Sequence, residues 1–196
     1  MAPPSDGDSL LSGFDAWRAK RALKARAEAF VAVLAVEPPA ADIEWLASNA
    51  TSGDIDHATW ELRYARRSLG MLTAQRDALD DRTASVVARA LSRSLGHDPN
   101  IGPGKLRVVE RQLNARLRAY RDALGNRDGA GSGWHLGRTL LRFAGRVDAS
   151  PGDTVGHATE IISRYLTEAN AALREHFGAA ALPEDVAPSS IRGGGP

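Results

Sequence analysis

An arginine and an aspartate at helical spacing are the first residues in this chain that suggest chemistry. Arg76 and Asp80 lie four residues apart in RSLGMLTAQRDALDDRTASVVARAL, residues 67–91, a stretch with the composition of an uninterrupted helix. They stand where an apolar stripe would continue along that helix, and the stripe is formed by Leu62, Ala65, Leu69 and Leu72. An arginine and an aspartate on an inward face could bind an anion or take part in a reaction.

Three interpretations of Arg76 and Asp80 are open. Asp80 could cap a new helix over 81–95, since aspartate is a favoured N-cap residue. The two side chains could instead form a structural ion pair between positions i and i+4. They could also line a polar pocket in which Arg76 holds an anionic ligand near Asp80. Because an unpaired guanidinium is costly to desolvate, an inward Arg76 needs a partner, and the sequence favours a structural role before a functional one.

Two histidine–glutamate pairs have the spacing of metal ligands on one helix face. His57 and Glu61 are at positions i and i+4, and His157 and Glu160 are at i and i+3. Both pairs lie near predicted helix N-termini and away from the apolar stripes, so we expect them on a solvated surface. The Glu-x-x-His motif of di-iron carboxylate bundles does not occur in the chain. We therefore predict no metal site and no cofactor.

The absence of cysteine removes several further chemistries. Without cysteine the chain has no disulfide, no thiolate nucleophile and no cysteine-ligated zinc or iron–sulfur cluster. The segments GPGK (102–105) and GAGSG (129–133) lack the spacing of a phosphate loop and of a nucleophile elbow. We identify no catalytic residue, and the sequence favours a non-enzymatic protein while leaving catalysis open.

Composition limits the class of protein and its partners. The 196 residues are 43% hydrophobic, enough for a buried core, and the net charge of +1 provides no overall field to attract nucleic acid. Arginine far outnumbers lysine, which together with abundant alanine indicates a GC-rich bacterial genome. The N-terminus has no secretory signal, and the most apolar segment, AEAFVAVLAV, is well short of the ~20 residues that span a bilayer. These features predict a soluble, cytoplasmic protein.

Helical periodicity extends through nearly the whole chain, and no segment has the alternation of a strand. We predict an all-α fold, a single-domain antiparallel helical bundle of about six helices with one long central helix, over residues 10–178. Residues 1–9 and 179–196 are predicted to be disordered tails. The helices are expected at about 14–36, 40–50, 54–95 and 105–124, then at a fifth segment after GNRDGAGSG and a sixth from Ser150. Whether 54–95 forms one helix or two is open.

The predicted long helix has a second apolar face, formed by Trp60, Tyr64 and Met71, with Arg67 between them in angle. A helix that is apolar on two sides is either buried by neighbours on both or exposes one side to a partner or ligand. Since no catalytic residue is found, we place a candidate interface on Trp60, Tyr64, Arg67 and Met71. This interface predicts a protein partner or self-association, with a homodimer as the simplest case.

A basic cluster near the start of the first helix is the candidate for binding nucleic acid or anionic lipid. Its members are Arg18, Lys20, Arg21, Lys24 and Arg26. Because they are spread around the helix, we expect a solvated helix start, and nucleic-acid binding is not favoured. The sequence thus predicts a non-enzymatic interaction protein, a scaffold, adaptor or regulatory subunit. The alternative is a bundle that binds a small anionic molecule, or a small all-α enzyme, using Arg76 and Asp80.

Overall fold

The computed structural model describes residues 6–77, 81–126, 129, 131–146 and 152–178. Every regular element in these ranges is an α-helix, and no strand occurs among them. In chain order the helices are α1 (Asp6–Leu34), α2 (Ala40–Asn49), α3 (Ile55–Asp77), α4 (Asp81–Gly96), α5 (Leu106–Gly125), α6 (Ser132–Phe143) and α7 (Asp153–Phe177). The predicted all-α helical bundle is confirmed.

The described residues contain seven helices rather than six because the segment 54–95 forms two. α3 ends at Asp77 and α4 begins at Asp81. α4 packs chiefly against α1, whereas α3 packs chiefly against α5 and α7, so the two helices cover different parts of the bundle. Asp80 lies outside the described residues, so its predicted role as a cap stays a prediction.

The first helix begins earlier than expected. α1 starts at Asp6 rather than near residue 14, so residues 6–9, which were assigned to the N-terminal tail, are helical. The rest of the predicted tails, residues 1–5 and 179–196, lie outside the described residues.

α3 is the central helix of the bundle and packs against each of the other six helices. Its central position was predicted, but it is not the long helix that the sequence predicted, because its 23 residues are fewer than the 29 of α1 and the 25 of α7. A helix that is surrounded in this way buries residues on every side, and its polar residues then need partners inside the protein.

Two hydrophobic clusters meet along α3. Leu62, Leu69 and Leu72 belong to a cluster completed by residues of α2, α5, α6 and α7. Tyr64 and Met71, from the other side of the same helix, belong to a cluster completed by α1, α4, α5 and α7. The two apolar faces predicted for this helix are thus both buried within the chain. Among the described helices, none has the length and apolar content that crossing a membrane requires.

A glycine allows α6 and α7 to pack closely. A Cβ atom at Gly137 would lie 2.9 Å from the backbone nitrogen of Thr159 and 3.0 Å from the carbonyl oxygen of Val155. Both are backbone atoms, which cannot move aside without shifting α7 itself. Glycine at this position therefore sets the distance between the two helices.

Candidate functional site

Burial of α3 on all sides places several of its polar side chains inside the protein. The buried polar and charged residues of this helix are Glu61, Arg66, Arg67, Ser68 and Thr73. Charged groups in such positions are destabilising unless ion pairs and hydrogen bonds compensate for the lost hydration. A residue whose charge and donors are satisfied by protein partners therefore has a structural role, and a residue whose donors are not satisfied is a candidate for binding a ligand.

Glu61 and Arg116 form a compensated ion pair between α3 and α5. Arg116 donates from Nε to Glu61 Oε2 at 3.0 Å and from Nη2 to Oε1, and its Nη1 donates to Gln112. The guanidinium lies between two aromatic rings, 5.0 Å from the centroid of Tyr64 and 4.3 Å from that of Phe143. Because both charged groups are paired and the arginine is stacked on both sides, we assign this pair a structural role.

Two further ion pairs connect α7 to the rest of the bundle. Arg66 of α3 donates to Glu168 at 2.7 Å, and Arg164 donates to both oxygens of Asp42 of α2 at 2.6 and 2.5 Å. The hydroxyl of Tyr165 also donates to Asp42, at 3.2 Å. Burial raises the pKa of Tyr165, and the Asp42 charge and hydrogen bond raise it further, so this phenol stays protonated. These ion pairs hold α2, α3 and α7 together, and we assign them a structural role.

Arg67 differs from these because its hydrogen bonding is incomplete. Its side chain is 4% exposed, and its Nη2 donates to Asp98 Oδ2 at 2.8 Å. In the described part of the chain, the buried side-chain atoms without a hydrogen-bond partner are Arg67 Nε and Nη1, Ser68 Oγ and Thr73 Oγ1. Burial lowers the pKa of Arg67, and the neighbouring Asp98 charge opposes this shift. Two nitrogens of this buried guanidinium thus have no acceptor among the described protein atoms, an arrangement that native proteins rarely keep without a reason.

Arg67 and Ser68 line a cavity of about 360 Å³ between α3, α4 and α5. This volume lies within the range of small-molecule sites, roughly 300–1,000 Å³. The apolar part of the wall consists of Met71, Leu91, Leu95, Leu113 and Leu117. The remaining lining residues are Gln75, Ala88, Ser92, Glu110 and Asn114. The cavity wall therefore combines leucine-rich and polar parts, and Arg67 is its basic residue.

The position of Asp98 is fixed by the turn that follows α4. Its Oδ1 accepts hydrogen bonds from the backbone nitrogen of Asn100 at 2.9 Å and from Asn100 Nδ2 at 3.0 Å. Burial raises the pKa of Asp98, but the two bonds from Asn100 and the charge of Arg67 outweigh it, so the pKa lies below its ordinary value. Asp98 is therefore ionised near neutral pH, and together with Arg67 it forms a pair without net charge.

Arg76, which was predicted to face inward, does not. Its side chain is 61% exposed and makes two hydrogen bonds to the adjacent Asp77, at 2.7 and 2.8 Å. The hydrogen bond to Asp77 raises the pKa of Arg76. The expected stripe fails at this point because α3 ends at Asp77, and a residue in the last turn leaves the packed interior. Asp80 lies outside the described residues, so the predicted pairing of Arg76 with Asp80 stays a prediction.

The candidate interface on the second face of α3 also needs correction. Tyr64, Arg67 and Met71 are 7%, 3% and 4% exposed, because α1, α4 and α5 cover them. Trp60 is half-buried, with its ring centroid 5.5 Å from that of Tyr64. The alternative interpretation, core packing, describes this face. Arg67 and Met71 nevertheless line the cavity, so two of the four residues lie where a ligand could reach them.

The histidine–glutamate pairs are not brought together as a metal site. Glu61 is 2% exposed, so its predicted surface position is wrong, whereas His157 and Glu160 are exposed as expected. His57 Nε2 lies 3.5 Å from Glu61 and 3.1 Å from the carbonyl oxygen of Phe143. Among the described residues, no group of three potential ligands is close enough to hold a metal ion.

The basic cluster of α1 gains arginines from α4. Lys20, Arg21 and Lys24 line an open groove with Arg89 and Arg93 of α4, and the exposed Trp17 forms part of its wall. Glu28 lies 3.7 Å from Lys24 and 3.5 Å from Arg93, so the groove is partly neutralised. Arg18 and Arg26, the other two basic residues of the α1 cluster, are not among the residues that line this groove.

The combination of Arg67 and Asp98 was not predicted from the sequence. The two residues are 31 positions apart, on α3 and in the turn after α4, and no periodic pattern links them. The sequence signal for Arg67 was its angular position on the helix, among Trp60, Tyr64 and Met71.

Comparison with known proteins gives no match from which a function could be inferred. No protein-family model, curated protein or solved structure shows a significant match to this chain. A function for the cavity must therefore be argued from its geometry and chemistry.

Proposed function

We propose that this protein binds a small, mainly apolar molecule in the cavity between α3, α4 and α5, through a carbonyl or carboxylate oxygen of that molecule. The observation that carries the proposal is the incomplete hydrogen bonding of Arg67, a buried arginine in the wall of that cavity. An oxygen acceptor on the ligand supplies what the protein lacks, since a guanidinium offers only donors.

The charge balance of the site restricts the headgroup of the ligand. Asp98 already neutralises Arg67, and Glu110 lies at the cavity, so a multiply charged anion would meet net repulsion. A single carboxylate or an uncharged carbonyl group fits better. The leucine-rich wall favours an aliphatic or aromatic body, because burying apolar surface contributes about 25 cal/mol per Å². Because Arg67 Nε and Nη1 are themselves buried, the guanidinium has to rotate towards the cavity to donate to the oxygen of the ligand.

This proposal replaces the predicted Arg76 and Asp80 site with Arg67 and Asp98, while keeping the predicted class of function. The prediction of an interaction protein, with a protein partner or a homodimer, stays a prediction, as do the cytoplasmic location and the bacterial origin. We propose binding only and assign no reaction to the cavity.

The test uses three probes of equal chain length that differ in their headgroup. Octanoate and octanamide carry an oxygen acceptor, whereas octylamine carries only donors at neutral pH. Titration of the full chain, followed by NMR, should shift the methyl signals of Met71, Leu91 and Leu113 with octanoate and octanamide. Octylamine should bind at least about tenfold more weakly, since a lost hydrogen bond to a charged group costs about 1.5–3 kcal/mol.

A conservative variant separates Arg67 from the apolar wall. Arg67→Lys retains a positive charge for Asp98 but removes the planar donor groups, and we expect about tenfold weaker octanoate binding. Arg63→Lys is the matched control, because Arg63 lies on the same helix and pairs with Glu37 outside the cavity. Equal binding of the amine and the acid, equal effects of the two variants, or no binding of any probe would contradict the proposal.

A further inference from the structure

A cleft between α5 and α6 concentrates arginine residues on one side of the molecule. The cleft has a volume of about 560 Å³, and its basic residues are Arg118 of α5, Arg138 and Arg142 of α6, and Arg146 after α6. Asp122 is the acidic residue among those that line it. In a chain whose net charge is only +1, this cleft is a local centre of positive potential.

Three of these arginines have no carboxylate partner among the residues that the structure describes. Arg118, Arg138 and Arg142 form no ion pair with any acidic residue in the described ranges, in contrast to Arg63, Arg66, Arg67 and Arg116. Arg146 donates from Nη1 to the carbonyl oxygen of Asn49 at 2.9 Å, which is an uncharged acceptor. Like charges that face one cleft repel each other, and a bound anion removes that repulsion.

Aromatic side chains support two of the guanidinium groups at the edge of the cleft. The guanidinium carbon of Arg138 lies 4.6 Å from the ring centroid of Trp134, and that of Arg142 lies 5.5 Å from the centroid of Phe143. Stacking of this kind limits the orientations of the guanidinium and leaves its N–H edges available. Preorganised donors lose less conformational entropy when an anion binds.

Small side chains keep the floor of the cleft open. Ala115, Ala119 and Ala123 recur every fourth residue along α5 and line the cleft together with Thr139 of α6. Longer side chains at these positions would fill the space between the arginines. The cleft is therefore a basic cavity with a shallow, uncharged floor and donors on both sides.

We propose that this cleft binds a small phosphorylated molecule, with its phosphate oxygens hydrogen-bonded to Arg118, Arg138, Arg142 and Arg146. Phosphate carries more than one negative charge on a compact group, and the planar arginine fork matches its oxygens. A cleft with four arginines and one aspartate suits such a multiply charged group, whereas the cavity at Arg67 does not. This inference goes beyond the proposed function and does not depend on it.

Inorganic tripolyphosphate is the probe for the test, and citrate, which is also multiply charged but carries carboxylates, is the comparison. We expect isothermal titration calorimetry on the full chain to give saturable tripolyphosphate binding that weakens as salt is raised. The double variant Arg138→Gln and Arg142→Gln should bind it at least about tenfold more weakly, because each lost charge-assisted hydrogen bond is individually costly.

A second double variant controls for the overall change in charge. Arg107→Gln and Arg111→Gln remove two exposed charges from the same α5 helix, outside the cleft, and we expect less than about a twofold change in affinity. Circular dichroism should show that both double variants stay folded. Absence of tripolyphosphate binding, equal losses in the two double variants, or citrate binding as tight as tripolyphosphate would overturn the proposal.

Discussion

At the residue scale, the ion pair between Arg67 and Asp98 makes a definite contribution to the dependence of stability on pH. The pKa of Asp98 lies below its ordinary value of 3.8, because hydrogen bonds from Asn100 and the charge of Arg67 outweigh the opposing effect of burial. A carboxyl group with a lowered folded-state pKa stabilises the protein above its unfolded-state pKa. That contribution is lost as the pH falls through the folded-state pKa.

The variant Asp98→Asn tests this contribution. It keeps an oxygen acceptor for Asn100 but leaves the buried Arg67 without a counterion, so we expect a loss of about 3 kcal/mol at neutral pH. Below about pH 4, the free energy of unfolding from urea titrations should decrease less steeply in the variant than in the wild type. Glu175→Gln, which alters an exposed carboxylate, should change stability by less than about 0.5 kcal/mol. The same slope in wild type and Asp98→Asn would show that the pair does not titrate as argued.

At the scale of elements, the packing of α6 against α7 depends on the missing side chain of Gly137. We expect Gly137→Ala to destabilise the protein by about 1–3 kcal/mol, because the added methyl group overlaps backbone atoms of α7. Gly156→Ala is the matched control within α7, since a Cβ there meets nothing within 4 Å. This control should stabilise the protein by about 0.5–1 kcal/mol through helix propensity. Thermal unfolding of the two variants measures both effects, and a neutral Gly137→Ala would mean that the helices can separate without cost.

The boundary between α3 and α4 is also decided at this scale. The sequence has no glycine or proline between Met71 and Leu95, so no residue marks a helix end there. Periodicity therefore left open whether 54–95 forms one helix or two. In the fold, α4 turns away to cover α1, and this places Asp98 beside Arg67 and opens the cavity between α3, α4 and α5. A continuous helix would have carried these residues far from one another.

At the scale of the whole molecule, α3 joins the two hydrophobic clusters, and Leu117 packs against both. We therefore expect a single cooperative unfolding transition. Leu140→Ala in one cluster and Phe30→Ala in the other should each lower stability by about 3 kcal/mol. In both variants, tryptophan fluorescence and far-ultraviolet circular dichroism should give the same urea midpoint. Val108→Ala, at an exposed position of α5, should change the midpoint little. Separate midpoints from the two probes would show that the clusters unfold independently.

The sequence by itself determined the class of the fold and most of the helix limits. The helices expected at about 40–50 and 105–124 are found at Ala40–Asn49 and Leu106–Gly125. The central position of the third helix also followed from its two apolar faces. These predictions hold because helical periodicity and helix-terminating residues are local properties, which a short window of sequence contains in full.

Only the tertiary structure decided which charged residues lie inside. Arg76 continues the apolar stripe in the sequence and is exposed, whereas Arg67, on the second apolar face, is buried with Asp98. Glu61, expected on the surface, pairs with Arg116 in the core. The physical reason is that burial depends on which neighbouring helix covers a given position. Helix directions and the ends of the packed region are set by contacts between residues distant in sequence, and periodicity within one helix does not contain them.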